Sequence, residues 1–453
     1  MFPTRGHKTG LVAPQGGKLP DDEQLEFDEF TCLTVSISVP ESQLSLPTTK
    51  ALPAMVYIHG GAAQDGCGHV DGIHDNAPLT AFSHSIFLPV IVVNIGYRLN
   101  WVGSIVCQDL LDEHTSNPTS THGPFNLTIQ DQRNAFAWIH KFVGGLGGDV
   151  SNITAFGEST GSIFMLYHII GSEQRMFDRA ILSIRSGYQA LLKHFNINGE
   201  NGQERLEQLR HVDAAALAKF PGTHTMPFVG EVPGIKREDS LFTRGSPTYS
   251  SQFELIPTNK WLGDMMIGDD LWEGQTIFEM LKRAQPKALV EMVSSLFGND
   301  VAQELLEAYE IPISGDIDSN RFLLQLSYFI GDVLFSVPID KLAKILATAE
   351  TSGIEARRRK IYRYSIAFSN PFADSTRSFA PGHRFGEILY LFLTVLERYP
   401  ARRGKWLEQQ ARGTARRWIT FAYEQAPWDD HRISADGTDA SEAKIAIADD
   451  LQG

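Results

Sequence analysis

The sequence predicts an α/β fold, a central and mostly parallel sheet flanked by helices, with helical insertions forming a lid. Three observations predict it. Short apolar runs rich in β-branched residues alternate with longer segments of helical periodicity. Two of those runs, residues 54–58 (Ala-Met-Val-Tyr-Ile) and 90–95 (Val-Ile-Val-Val-Asn-Ile), are nearly unbroken, as strands covered on both faces are. Glycine clusters at 144–148 and 157–161 stand where a helix should stop and where a strand should turn into a helix.

The elements follow in order. Residues 1–24 are rich in glycine, proline and charge and read as a loose lead-in. Residues 25–428 read as one domain. Residues 152–156, 179–184 and 360–368 are further strand candidates, and 264–267 is strand-like. Residues 127–142 read as a helix, because Ile129, Phe136, Ile139 and Phe142 share one face. Between about 190 and 350 the pattern is more helical and less regular. Helices are expected at 281–296, 302–309 and 323–332, as the insertions over the sheet. Residues 429–453 form a polar, acidic tail with a weak apolar run at 443–448.

Composition narrows the function. With 453 residues, 42% hydrophobic and 21% charged, the chain can bury a large core without disulfide or metal staples. Its net charge of −14 argues against nucleic acid or an anionic membrane surface as main partner. The apolar stretches 86–95 and 388–396 fall well short of the ~20 residues that span a bilayer, so no transmembrane segment is expected. Cys32, Cys67 and Cys107 form no CxxC pair. With no apolar leader in residues 1–7, they give the expectation of a reduced, cytoplasmic protein. His69 and His74 near Cys67 are irregularly spaced, so no metal site is expected there.

The sharpest chemical signal is Gly157-Glu158-Ser159-Thr160-Gly161, directly after the strand candidate 152–156 and before a helical pattern at 162–170. A glycine-rich turn with an inert serine would read the same in isolation. At a strand-to-helix turn the glycines permit a sharp reversal that exposes the Ser159 hydroxyl, making it the candidate nucleophile. A second signal, His59-Gly60-Gly61-Ala62-Ala63, follows the strand 54–58. Turns without side chains can aim consecutive N–H groups at one oxygen, as an oxyanion hole requires. His59 lies too early in the chain for the order serine, acid, histidine and reads as a structural hydrogen-bonder.

With these motifs the chain resembles the type-B carboxylesterase (cholinesterase-like) family of α/β-hydrolases. The likeness spans about residues 28–425. It includes residues 32–40, the His-Gly-Gly loop, Asn94–Leu99, Asp131-Gln132-Arg133, Trp138-Ile139, Gly147–Val150 and Phe177–Leu182. Arg98, Asp131 and Arg133 are expected to make structural ion pairs or caps. The resemblance implies hydrolysis of a small-molecule carboxylic ester through an acyl-enzyme, with no metal and no cofactor. It implies Glu273 as the triad acid, in Gly268–Phe278, with Asp270 as its rival. It implies His383 as the base, in Pro381–Phe392; no other histidine lies between His224 and His431. The N–H groups of Gly61, Ala62 and Thr160 would form the oxyanion hole. A lactonase, thioesterase or amidase would use the same triad, and a non-catalytic binding protein could keep the same fold.

The chain departs from the family at several points. Ala62 stands where glycine is frequent, Ala63 where an aromatic is frequent, and Thr160 where alanine is usual. Four rather than three steps separate His383 from Glu387. The acidic residue expected just before Cys32 is displaced to Glu29, and neither the opening hairpin nor a partner for Cys32 is recognisable in residues 1–24. The Ala62 methyl excludes backbone conformations open only to glycine, so the loop is expected to take one that a side chain tolerates.

Overall fold

The structure, a computed structural model, describes residues 28–45, 50–68, 73–116, 123–184, 253–282, 284–313, 317–348, 358–368, 370, 382, 386–394, 396–399, 404–432 and 445–448. The expected lead-in therefore lies outside the described residues.

Eight strands form one sheet: β1 (Val35–Ser38), β2 (Leu52–Ile58), β3 (Ile91–Ile95), β4 (Gly148–Ser159), β5 (Arg179–Ile184), β6 (Met265–Asp270), β7 (Ile361–Ile366) and β8 (Ile445–Ala448). Their order across the sheet is β1-β3-β2-β4-β5-β6-β7-β8. Only β1 runs antiparallel to its neighbour; every other pair is parallel. This is the mostly parallel α/β sheet that the alternation of runs predicts.

The two-residue period of a strand explains why β2 and β3 are apolar throughout. Ala54, Val56 and Ile58 join one buried cluster with Ile91, Val93 and Ile95, and Met55, Tyr57 and Val92 join another on the opposite face. The first cluster is closed by α2 (Leu127–Phe142), α3 (Thr160–Gly171) and α7 (Val337–Thr348). The second is closed by α1 (Asn76–Ser85) and α9 (Gly404–Ala422). Leu407, Ala411, Ala415, Trp418 and Ala422 place one stripe of α9 on the sheet, at the three- and four-residue spacing of a buried helical face.

Two expectations need correction. Residues 445–448 are not part of a loose tail: they pair with β7 as an edge strand. His431 is also buried, its N–H donating to the Ile361 carbonyl. The stretch 190–350 is not all insertion, since it contains β6 and the core helix α7. Among the described residues, α4 (Pro286–Phe297), α5 (Asn299–Ala308) and α6 (Ser319–Gly331) form a separate apolar cluster, around Leu289, Val293, Leu306, Phe322, Leu326 and Phe329. The helical run Ser319–Thr348 has 30 residues and a mean hydropathy of 1.6 in its most apolar window, long and apolar enough by composition to cross a membrane. Its first half packs into the α4–α6 cluster and its second half into the main core, while Leu334 and Val337 between them are exposed.

The expected ion pair is present. Arg98 Nε and Nη2 donate to the two Asp131 oxygens at 2.8 and 2.6 Å, and the Arg98 N–H also donates to Asp131. It ties the loop after β3 to α2. Asp131 is buried and Arg98 partly buried, so Asp131→Ala, which leaves the Arg98 charge without this partner, should cost about 2 kcal/mol in urea denaturation. A loss below about 1 kcal/mol would show that the pair is effectively solvated.

Candidate active site

The described candidate residues lie at the carboxyl ends of β2, β4 and β6, where parallel α/β sheets place their sites. β4 runs to Ser159, and α3 begins at the next residue. Ser159 has φ 58° and ψ −127°, a conformation ordinarily left to glycine. Strain of this kind costs about 1–3 kcal/mol and persists only where surrounding packing enforces it. The packing is visible here. A Cβ on Gly161 would stand 2.0 Å from the Ile58 carbonyl oxygen, and one on Gly157 would stand 2.8 Å from the same atom. Both motif glycines are needed because β2 ends directly across the turn. The Ser162 hydroxyl bonds the Gly157 carbonyl and accepts the Ser183 N–H, fixing the turn from behind.

The chain leaving β2 meets the turn at once. A Cβ on Gly60 would lie 2.9 Å from Ser159 Cβ and 2.6 Å from Glu158 Oε2. The loop then closes on itself, the Gly61 carbonyl accepting the N–H groups of Gln64 and Asp65. Gly61 (φ 100°), Ala62 (56°) and Ala63 (59°) all have positive φ. Ala62 thus occupies the left-handed region, which a methyl group tolerates at about 1–2 kcal/mol. Gly61 and Ala62 are exposed, while Ala63 is buried. The Ala63 N–H donates to Thr160 Oγ1 at 3.2 Å, and its carbonyl accepts the Asn100 N–H at 2.6 Å. Thr160 opens α3, so its own N–H is one that the helix cannot satisfy. His59 is buried, stacked on Tyr97 with ring centroids 4.3 Å apart, and its Nδ1 lies 2.8 Å from the Gly60 carbonyl oxygen. It is a structural hydrogen-bonder, as its early position implies.

Glu273 follows β6 on a short 3₁₀ turn, Glu273–Ile277, and is 2% exposed. Its Oε1 accepts the Asp270 N–H at 3.1 Å. This turn is held by α6, which the sequence reading placed in a lid. A Cβ on Gly274 would stand 1.7 Å from the Ser327 carbonyl oxygen, one on Gly331 would stand 2.6 Å from the Gly274 nitrogen, and Trp272 Nε1 donates to Ser327 Oγ. Thus α6 buttresses the acid turn.

Sequence reasoning noticed Asp270 only as a rival acid. In the structure it is buried, and its carboxylate oxygens take no hydrogen bond from an N–H or hydroxyl donor. Burial, then the carboxylates of Glu387, Glu273 and Glu158, push the Asp270 carboxyl well above the ordinary carboxylate range. Asp270 and Glu387 are close enough to hydrogen-bond when a proton sits between them.

His383 lies outside the described residues, as does His69. The residue before His383 is described and touches the acid turn. The Gly382 N–H donates to the Phe368 carbonyl at 3.0 Å, and its own carbonyl accepts the Trp272 N–H at 2.8 Å. With φ 49° and its Cβ site 2.5 Å from the Ile366 oxygen, Gly382 is fitted to that position. On the other side Glu387, in α8 (Gly386–Leu391), reaches Asp270. Among the described residues no cluster of three or more histidine, cysteine or carboxylate side chains could hold a metal ion. His74 is buried between the Cys67 carbonyl and the Tyr57 hydroxyl.

Comparison with known proteins agrees with this architecture. The chain is 27% identical over 373 residues to Esterase cest-33 of Caenorhabditis elegans, covering 76% of this chain and 61% of that protein. It is 36% identical over 168 residues to the inactive carboxylesterase-like protein VdtD of Byssochlamys spectabilis, covering 37% of this chain and 26% of that protein. The matches thus span about a quarter to three fifths of these curated relatives. A solved PNB esterase superposes with a TM-score of 0.66 at 20% identity, over 97% of this chain and 84% of the other, and so shares the α/β-hydrolase fold. The carboxylesterase family matches residues 4–441, nearly the whole sequence. The chain belongs to the carboxylesterase family.

Proposed function

We propose that the protein is a serine hydrolase that cleaves carboxylic esters through an acyl-enzyme, with Ser159 as nucleophile. One observation carries the reading: Ser159 is held in a glycine-like conformation at the end of β4 beside a Gly-Gly loop so close that a Cβ on Gly60 would stand 2.9 Å from Ser159 Cβ. A fold does not retain such strain for an inert turn unless packing demands it, and here the packing presents a hydroxyl to a loop rich in N–H groups.

In this reading His383 takes the Ser159 proton as the hydroxyl attacks the ester carbonyl. The negative charge that develops on the carbonyl oxygen is met by the N–H groups of Gly61, Ala62 and Thr160. The imidazolium then protonates the departing alcohol, and water repeats the cycle on the acyl-enzyme. Glu273 is the acid that orients His383. A backbone N–H holds its carboxylate, and the Gly382–Trp272 bond brings the histidine's neighbour to the residue before it. Asp270 is the poorer candidate, because an acid that must balance an imidazolium has to be ionised and Asp270 is pushed toward its protonated form. No metal or organic cofactor enters these steps. A non-catalytic role has one observation in its favour, the likeness to a protein named as inactive; the presence of serine, glutamate and histidine candidates together speaks against it.

A fluorophosphonate probe should label the protein at Ser159 alone, and Ser159→Ala should lose labelling and ester turnover together. His383→Ala should lower kcat by about the same factor, on the order of 10⁴ or more, since triad members act as a unit. Labelling that survives Ser159→Ala would overturn the assignment.

The raised Asp270 carboxyl makes a separate prediction about stability. The folded protein holds a proton there that the unfolded chain releases above about pH 4. Stability therefore declines as pH rises from that value to the folded carboxyl's own, and this contribution is flat beyond it. Asp270→Asn removes the decline: the variant should melt above wild type at neutral pH, with the gap closing on acidification. A Tm difference that does not change with pH would contradict a protonated Asp270.

A further inference from the structure

We propose that the Thr160 hydroxyl is a positioning group for the oxyanion hole, holding the Ala62-Ala63 segment in the left-handed conformation that aims its N–H groups. The inference rests on the reading of Ser159 as an ester-cleaving nucleophile and adds a specific role for a side chain that this reading does not use.

Three features of the loop lead to it. Ala62 and Ala63 are two successive alanines at positive φ, 56° and 59°. Left alone, an Ala-Ala pair relaxes toward negative φ, because the methyl groups crowd the following carbonyls. Such a relaxation would swing the Ala62 N–H away from its present direction. Something outside the pair must therefore hold it. Ala63 is buried and its two backbone groups are both taken, the carbonyl by the Asn100 N–H and the N–H by Thr160 Oγ1. The carbonyl bond runs to Asn100 in the segment after β3, whereas the N–H bond runs to the turn that holds Ser159, with a sequence separation of 97. It ties the loop directly to the residue after Ser159.

Thr160 suits this role by type and by place. A hydroxyl can accept the Ala63 N–H, whereas alanine at the same position has nothing to offer it. The β-branch restricts χ1, so few positions are open to the oxygen. At 2% exposure, water does not compete for the bond. The residue directly follows Ser159 and opens α3, so its backbone N–H and its side-chain oxygen move together. One residue thereby registers both halves of the hole, its own N–H on one side and the alanine loop on the other.

The test compares Thr160→Val, which keeps the branched shape without the acceptor, with Thr160→Ser, which keeps the acceptor. Turnover of p-nitrophenyl acetate is measured beside Ser159→Ala. Thr160→Val should lower kcat about 10²-fold, the scale of a lost or misaimed oxyanion donor, with KM changed less than about threefold. Fluorophosphonate labelling should slow in parallel, and Thr160→Ser should restore kcat to within about fivefold of wild type. A purely structural threonine would lower Tm and leave the kcat of the folded fraction in place. In an Ala62→Gly background, where positive φ needs no support, the valine penalty should shrink to about tenfold or less. Should Thr160→Val not fold, Thr160→Ala carries the same expectation. If Thr160→Val or Thr160→Ala keeps kcat within about threefold while Ser159→Ala is inert, the inference fails and the nucleophile stands. A penalty equal in the wild-type and Ala62→Gly backgrounds also overturns it. Activity surviving in Ser159→Ala would instead overturn the underlying reading.

Discussion

The end of β2 lies against the turn between β4 and α3, and the rest of the site depends on that approach. The Ile58 carbonyl oxygen occupies the space that a side chain on Gly157 or Gly161 would need. The parallel β2–β4 register, which pairs Ile58 with Gly157, sets this approach. The constraint does two things together. It forces Ser159 into a conformation that lifts its side chain out of the strand, and it delivers the next residues of the β2 chain, Gly60 and Gly61, beside that side chain. The proposed nucleophile and the proposed oxyanion loop are thus set side by side by one packing contact between two neighbouring strands.

The acid side of the site is built differently. Glu273 depends on a helix far along the chain, with Gly274 and Gly331 bringing α6 against the acid turn closely enough that neither tolerates a Cβ. Around it stand Asp270, Glu387 and Glu158, all buried. So many carboxyl groups in one apolar setting cannot all be ionised. Asp270 is the group displaced toward its neutral form, while the Glu273 carboxylate accepts the Asp270 N–H. The burial that makes the cluster costly in stability is the same burial that pushes the Asp270 carboxyl upward.

Much of this was legible in the sequence, because the strongest local signals coincide with the strongest constraints. The unbroken apolar runs of β2 and β3 report burial on both faces. Residues 127–142 carry a helical stripe that ends at a glycine cluster, and α2 has those bounds. The GxSxG and His-Gly-Gly motifs mark backbone that no side chain could follow. What the sequence left hidden depends on contacts between distant segments. A four-residue edge strand at 445–448 has too few residues to show a period. The helices of residues 286–331 read as a lid because their periodicity says nothing of what they cover, and the meaning of Gly274 and Gly331 appears only when the two segments meet. Asp270 looked like an alternative to Glu273 because letters alone do not show which carboxyl receives an N–H. Thr160 looked like a simple departure, since the partner of a hydroxyl is settled by tertiary structure.

The central claim is that Ser159, the loop at Gly61-Ala62, Glu273 and His383 converge on one reacting carbon. It is tested most directly by a crystal structure of the protein after reaction with a small alkyl fluorophosphonate. The account predicts a tetrahedral adduct on Ser159 Oγ, with its phosphoryl oxygen within hydrogen-bond distance of the Gly61, Ala62 and Thr160 nitrogens. It also predicts His383 Nε2 beside Ser159 Oγ and its Nδ1 on the Glu273 carboxylate. An adduct whose oxygen points away from the loop, or a His383 that reaches neither Ser159 nor Glu273, would contradict it.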